Sequence, residues 1–178
     1  MEERIYGFPP VVGEDPKVLI LGSMPSARSL ESGHYYGHPR NHFWKLIFTV
    51  LRRPPEEEYG KKLEVLRRNG IALWDVIADC RRTGSLDQAI KDPVCNDVEG
   101  LIEEHPGLRL VCFNGAAAER IFFGCNGGMG NGGLRNRGRR KGAAQRYLRL
   151  PSSSPVPTRY HKTWEDKLPE WKVIARYL

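Results

Sequence analysis

Residues 35 to 44, YYGHPRNHFW, crowd two tyrosines, two histidines, an arginine, an asparagine and a tryptophan into ten positions. Such a set suits either a packed aromatic corner or a pocket for a flat polar ring, with aromatic faces to stack on and polar side chains to hydrogen-bond its edge. Two other segments carry polar groups next to apolar runs. GSMPS, 22 to 26, could offer backbone N–H groups to a phosphate, but it has neither Walker nor GxGxxG spacing and reads equally as a strand-to-helix turn. LPSSSP, 150 to 155, presents three hydroxyls suited to phosphate oxygens, although Ser/Pro loops are also common connectors. No GxSxG elbow surrounds Ser153 or Ser154, which argues against a serine nucleophile.

These segments sit at the ends of apolar runs. KVLILGSMPS (17–26), IALWDVI (71–77), LRLVCFNG (108–115) and QRYLRLPSSSP (145–155) read as strands. Between them, 41–53, 56–70, 98–107 and the stretch from 116 read as helices, with Asn41 as a cap and Gly70 as a stop. The segment 160–178 reads as a helix interrupted near Pro169. Strands alternating with helices imply an α/β fold with a mostly parallel sheet covered on both faces. Ligands in such folds lie beyond the carboxyl ends of the strands, where GSMPS, Asp75, Asn114 and LPSSSP fall.

A length of 178 residues suits one domain with a proper core. No apolar run of membrane-spanning length occurs, and the charged start MEERIYGFPP lacks a signal core, so a cytoplasmic protein is expected. The four cysteines have long, irregular gaps and no CxxC, which predicts reduced thiols and no metal site. The net charge is +7, and residues 135–149 alone hold seven Lys or Arg and no acid. The whole excess is one local patch, either a polyanion-binding element or a solvated basic loop. The Gly-rich tract 124–138 reads as an insertion before the last strand.

In this order, the segments resemble the uracil-DNA glycosylase superfamily. The nearest likeness is to its hypoxanthine-removing branch, the DNA-deoxyinosine glycosylases, and it runs from KVLILGSMPS to LRLPSSSPV. The resemblance implies a three-layer α/β/α fold with a short, mostly parallel central sheet, in one domain over 1–178 with a Gly/Arg-rich insertion near 124–144. It implies a monofunctional DNA repair enzyme that hydrolyses the N-glycosidic bond of deaminated bases, hypoxanthine first, and leaves an abasic site. No metal or organic cofactor is implied, since water is the nucleophile. No lysine in the matched segments suggests a strand-nicking activity. The partner is DNA containing deaminated bases, met by a monomer.

The same resemblance assigns Gly22, Ser23 and Met24 to the base pocket, and Pro25 and Ser26 to the DNA side of that loop. Met24 stands where much of the superfamily has an Asp or Asn that aims the attacking water, a departure that weighs against simple uracil chemistry. In the hypoxanthine branch the asparagine of HPRN carries catalysis, which here is Asn41; its amide can aim water at C1′, and it can equally cap the helix. Tyr36 aligns with the ring that stacks on the extruded base, or packs in the core. His38 could donate to the base or be structural. Asp75 aligns with the Asn that reads uracil; it could accept N1–H of hypoxanthine, stabilise the sugar cation or polarise water. Asn114 supports the pocket, binds a phosphate or makes a turn. Ser152, Ser153 and Ser154 would grip phosphates, and Pro155 to Thr158 would enter the gap left by the base. Arg137, Arg139, Arg140 and Lys141 would follow the DNA backbone. Competing readings are a uracil or mismatch glycosylase, a catalytically silent nucleic-acid-binding module, and a hydrolase of free nucleosides.

Overall fold

A computed structural model describes residues 3–125 and 145–178. Its centre is a four-stranded parallel sheet of β2 (Val18–Gly22), β3 (Ile71–Asp75), β6 (Leu110–Asn114) and β7 (Arg146–Leu150), in the order β3-β2-β6-β7. The run VLILG is buried at every position, as a central parallel strand covered on both faces must be. Its side chains alternate. Val18 and Ile20 join a cluster with Phe43, Leu46 and Ile47 of α2 (Phe43–Val50), Leu66 of α3 (Tyr59–Arg68) and Trp171 of α6 (Trp164–Trp171). Leu19 and Leu21 meet Val98 and Leu101 of α4 (Val98–Glu104) and Phe122 of α5 (Ala116–Cys125). Two helical layers therefore sandwich the sheet, as the alternating pattern implies.

A second sheet carries no strong sequence signal. β1 (Arg4–Tyr6), β4 (Ile77–Arg81) and β5 (Lys91–Cys95) pair antiparallel in the order β1-β4-β5. The expected single strand over 71–77 is in fact two strands in two sheets, since the chain leaves the central sheet after Asp75 and Val76. β5, KDPVC, is mostly exposed and holds a proline, which an edge strand tolerates.

Two expectations are corrected. Pro169 lies inside α6 rather than breaking it, and the change to a tighter 3-10 turn comes later, at Lys172–Arg176. Pro169 is on the exposed face, where water can serve the carbonyl its missing N–H leaves free, and a capping box of Thr163 and Asp166 secures the start. The cysteines are not all reduced. Cys95 and Cys125 form a disulfide across Cα atoms 6.3 Å apart, joining the end of β5 to the end of α5, while Cys80 and Cys112 are buried thiols. That meeting of ends belongs to the topology, so spacing could not reveal it. Among the described residues no helix is long and apolar enough to cross a membrane.

Candidate active site

The parallel register brings Gly22 beside Asp75 and Asn114 beside Leu150 at the carboxyl edge of the sheet. Glycine at residue 22 leaves this edge of the sheet open. A Cβ would run into Asp75 Oδ1 and come within 3.1 Å of the Tyr36 hydroxyl. The carboxyl of Asp75 and the phenol of Tyr36 converge over β2 because nothing stands between them.

Tyr36 is aimed by its neighbour. Tyr35 is buried, with its hydroxyl donating toward the carbonyls of Phe8 and Pro9 at 3.3 and 3.2 Å. Its backbone N–H donates to the Tyr59 hydroxyl (2.8 Å), and its carbonyl accepts from Trp44 Nε1 (3.1 Å). Held at both ends, the chain turns through φ 53° at Tyr36, a left-handed conformation that a tyrosine adopts only under constraint. The Tyr36 ring then lies on Phe43 at 3.9 Å, with 15° between the planes. Burial first, and the Asp75 charge second, hold its phenol above the ordinary range.

Asn114 is a brace. Its Nδ2 donates to the Tyr36 hydroxyl (2.9 Å) and to Ser153 Oγ (2.8 Å), and its Oδ1 accepts from Ser153 N–H (2.7 Å). Both amide hydrogens are thus committed to protein groups rather than to a base or a phosphate. Ser153 is likewise corrected. It is buried, and its carbonyl accepts from His42 N–H (2.9 Å), so it fastens the serine loop to α2 instead of facing solvent. Ser152 and Ser154 lie nearer the surface. Their oxygens accept from Ser154 N–H (3.2 Å) and Val156 N–H (3.3 Å), which leaves each hydroxyl hydrogen to donate outward.

Asn41 Oδ1 accepts from Phe43 N–H at 2.9 Å, a turn just ahead of α2; the N-cap position itself is His42, which makes no side-chain capping bond, so the expectation that Asn41 caps the helix is corrected by one residue. One lone pair of that oxygen and the amide hydrogens remain, so this turn and contact with water are compatible. His38 Nδ1 accepts from Arg40 N–H (3.1 Å), which in the neutral ring leaves the proton on Nε2 as a donor.

The GSMPS loop faces two ways. Met24 is corrected as a wall of the base pocket: its side chain is buried against Ile77 and Cys80 at the second sheet, which receives it because β4 passes beneath the loop. Ser23 Oγ donates to Asp87 Oδ1 at 2.5 Å, the Pro25 carbonyl accepts from Arg82 Nη2, and Ser26 Oγ accepts from Ser29 N–H (3.2 Å) to cap α1 (Ala27–Ser32). Ser29 Oγ in turn accepts from Gly37 N–H at 3.1 Å, tying that helix to the Tyr36 segment.

Behind Gly22 lies a charged cluster that the sequence reading missed. Asp75 is 3% exposed and Arg82 6%. Asp75 Oδ2 and Arg82 Nε and Nη1 are buried without hydrogen-bond partners. Burial first, then the charge of Asp87, pushes the Asp75 carboxyl up to about 7, with Arg82 opposing. Arg82 and Asp87 sit in RRTGSLD, a stretch whose polarity resembles any solvated loop, so no pattern distinguished them. Lys167 was also missed. It is buried on α6, donating to the Ser154 carbonyl (2.6 Å) and lying 3.1 Å from His42 Nδ1. Burial lowers its pKa, and burial with the charges of Lys167 and Lys45 lowers that of His42. Trp171 Nε1 adds a bond to the Pro151 carbonyl (2.9 Å), so α6 holds the serine loop at two points.

A groove of about 750 Å³ opens beside His38 and Asn41, and neither Gly22, Asp75 nor Asn114 lines it. Among the described residues no cluster of His, Cys, Asp or Glu is placed to hold a metal ion. Arg137, Arg139, Arg140 and Lys141 lie outside the described residues.

Comparison with known proteins gives the family and the fold. Residues 9–177 match the family model of the uracil DNA glycosylase superfamily. A "Hypoxanthine DNA glycosylase" of Methanosarcina acetivorans is 39% identical over 175 residues, covering 96% of this chain and 98% of its own. One of the same name from Methanosarcina barkeri is 44% identical over 110 residues, covering 61% of this chain and 70% of its own. A solution NMR structure from Methanosarcina acetivorans, provisionally described as a uracil DNA glycosylase, superposes with a TM-score of 0.77 at 36% identity over 98% of both chains.

Proposed function

The chain belongs to the uracil DNA glycosylase superfamily, and on that premise we propose that it excises hypoxanthine from DNA by hydrolysing the N-glycosidic bond of deoxyinosine. The relative named for that activity matches it over 96% of its length. The observation that carries the reading is the buried, partnerless Oδ2 of Asp75 at the sheet edge, beside Gly22 and the Tyr36 ring.

The extruded base lies on the face of Tyr36 opposite Phe43. Hypoxanthine presents N1–H and O6 side by side. A neutral carboxyl matches that edge with two bonds, its carbonyl oxygen accepting N1–H and its O–H donating to O6. With a pKa near 7, Asp75 is available in that form at neutral pH and adds no negative charge beside the departing purine. As the C1′–N9 bond breaks, its electron pair leaves with the base. Asn41 directs water to C1′; water supplies hydroxide to the sugar and a proton to the purine, leaving an abasic site. The oxocarbenium-like centre is a strong electrophile, so placing the water matters more than deprotonating it. Met24, buried elsewhere, takes no part in aiming water.

Ser152 and Ser154 donate to phosphates, and Val156, 62% exposed between Pro155 and Pro157, fills the gap left by the base. The basic residues Arg137, Arg139, Arg140 and Lys141 supply salt-dependent affinity. A single copy of the chain supplies every group in this scheme.

The test is an assay on matched oligonucleotides carrying deoxyinosine, uracil or xanthine, with hot alkali revealing abasic sites. Deoxyinosine is cleaved preferentially, and Asn41→Ala lowers turnover by about 100- to 1,000-fold while DNA affinity stays within a few-fold. Preference for uracil defeats the substrate assignment. No cleavage of any base, with tight DNA binding, leaves a silent binding module.

A further inference from the structure

The groove beside Asn41 has features that base excision does not use. Its volume of about 750 Å³ lies in the range of sites that take small organic ligands. It is lined by three cations, Arg40, Lys45 and Lys62, against one acid, Glu56. Glu56 Oε1 accepts from the N–H groups of Glu57 (2.9 Å) and Glu58 (3.1 Å), which turns that oxygen to its own backbone, and the cations still outnumber the acid. Lys45 Nζ lies 4.3 Å from the Trp164 ring centre, and Lys62 Nζ 5.7 Å from that of Trp44. The aromatic faces steer both ammonium groups without neutralising them. Glu165, exposed at the start of α6, is the acid that feels the charge of Lys45.

Beside these cations is a stacking surface. The exposed His34 ring lies flat on Tyr59, with centres 3.9 Å apart and planes at 21°, so its outer face is open to solvent. His42 also lines the groove. Its Nδ1 faces the Lys167 ammonium, so its proton sits on Nε2, a further donor. Fixed cations next to an open aromatic face make up the general arrangement that holds single-stranded nucleic acid. The same groove reaches Tyr36, His38 and Asn41, so a strand lying in it runs to the catalytic segment.

We propose that this groove is a second nucleotide-binding site, which holds an unpaired nucleotide of the lesion strand with its phosphates on Lys45 and Lys62 and its base on the His34–Tyr59 stack. The proposal rests on the glycosylase reading for the identity of the strand, and it adds that deoxyinosine is taken from unpaired DNA as well as from duplex. An acidic peptide would find the cations but has no flat ring for the stack.

The test uses the full chain and a His34→Ala/Lys45→Ala/Lys62→Ala variant. Binding of labelled, undamaged oligothymidylate is read by fluorescence anisotropy across a salt series. Single-turnover cleavage is read on single-stranded and duplex deoxyinosine substrates. The variant weakens oligothymidylate binding by at least about tenfold. The log–log salt slope falls by about 1.4, for two lost phosphate contacts. Duplex cleavage stays within about twofold of the unmodified chain, while single-strand cleavage drops with the binding. Unchanged oligothymidylate affinity overturns the proposal, as does an equal loss on both substrates, or displacement of the oligonucleotide by polyglutamate at equal charge. Should the triple variant not fold, Lys45→Ala/Lys62→Ala carries the same salt-slope test. If no deoxyinosine is cleaved at all, the glycosylase reading fails, and the anisotropy series still decides the groove.

Discussion

The Tyr35–Asn41 wall and the Asp75–Arg82 floor of the proposed base site are built in opposite ways. In the wall, the backbone N–H and carbonyl of Tyr35 are both bonded, Tyr36 lies on Phe43, and Asn41 accepts from Phe43 N–H. In the floor, a carboxylate oxygen and two guanidinium nitrogens are buried without partners. A satisfied network fixes geometry, which a stacking platform and a water holder need. An unsatisfied buried acid instead has its proton equilibrium displaced, which reading a base edge at neutral pH needs. On the proposed reading the wall places the base and the water, and the floor reads the edge of the base.

Replacing the acid tests that division most strongly. The folded protein holds the Asp75 proton more tightly than the unfolded chain, whose carboxyl has the ordinary value of 3.8 against about 7 here. The stabilising contribution is therefore complete below pH 4 and is lost as pH rises to about 7, on the order of 4 kcal/mol. Asp75→Asn removes this loss, so denaturant titrations of wild type and variant diverge between pH 4 and 7. Cleavage of deoxyinosine by the wild type falls as pH rises past 7. The variant, whose amide still pairs with N1–H and O6, shows no such fall. Parallel pH profiles in the two proteins would mean that Asp75 is not the titrating group.

Gly22→Ala attacks the meeting point of wall and floor. The added methyl meets Asp75 Oδ1 and lies 3.1 Å from the Tyr36 hydroxyl. A loss of about 1–3 kcal/mol in stability accompanies reduced turnover. Thermal melts and single-turnover rates measure both, and an unchanged rate would separate Tyr36 from Asp75 in function. The smallest effect belongs to the wall alone. Tyr59→Phe leaves the Tyr35 N–H unpaired at a cost of about 1–2 kcal/mol. Because Tyr36 is held by Phe43 and Asn114 as well, the substrate KM rises while the pH profile keeps its shape. A shifted profile would mean that wall and floor are coupled.

The legible parts of the molecule were those where local chemistry and periodicity coincide. VLIL of β2 and LVCF of β6 are continuous apolar runs, and a parallel strand covered on both faces can be little else. Gly70 ends α3 at φ 67°, as a glycine stop should. The second sheet was not legible, because RIY, IADCR and KDPVC are short and carry no alternation that separates them from loops. Roles within one motif were mixed in the same way. Ser152, Ser153 and Ser154 are chemically identical in the sequence, yet only Ser153 points inward to Asn114.

The sequence by itself determined the layered α/β architecture, the order of the segments at its carboxyl edge, and through them the family. Backbone preference and hydrophobic pattern are properties of short stretches and survive reading one residue at a time. The tertiary structure alone decided which polar groups are spent and which are left over. Asn114 is consumed by Tyr36 and Ser153, Met24 by a small apolar cluster, and Cys95 by Cys125, while Asp75 keeps a free oxygen beside Arg82. Burial and pairing depend on partners distant in the chain, and those two quantities set whether a carboxyl is an ordinary surface anion or an acid poised near neutrality.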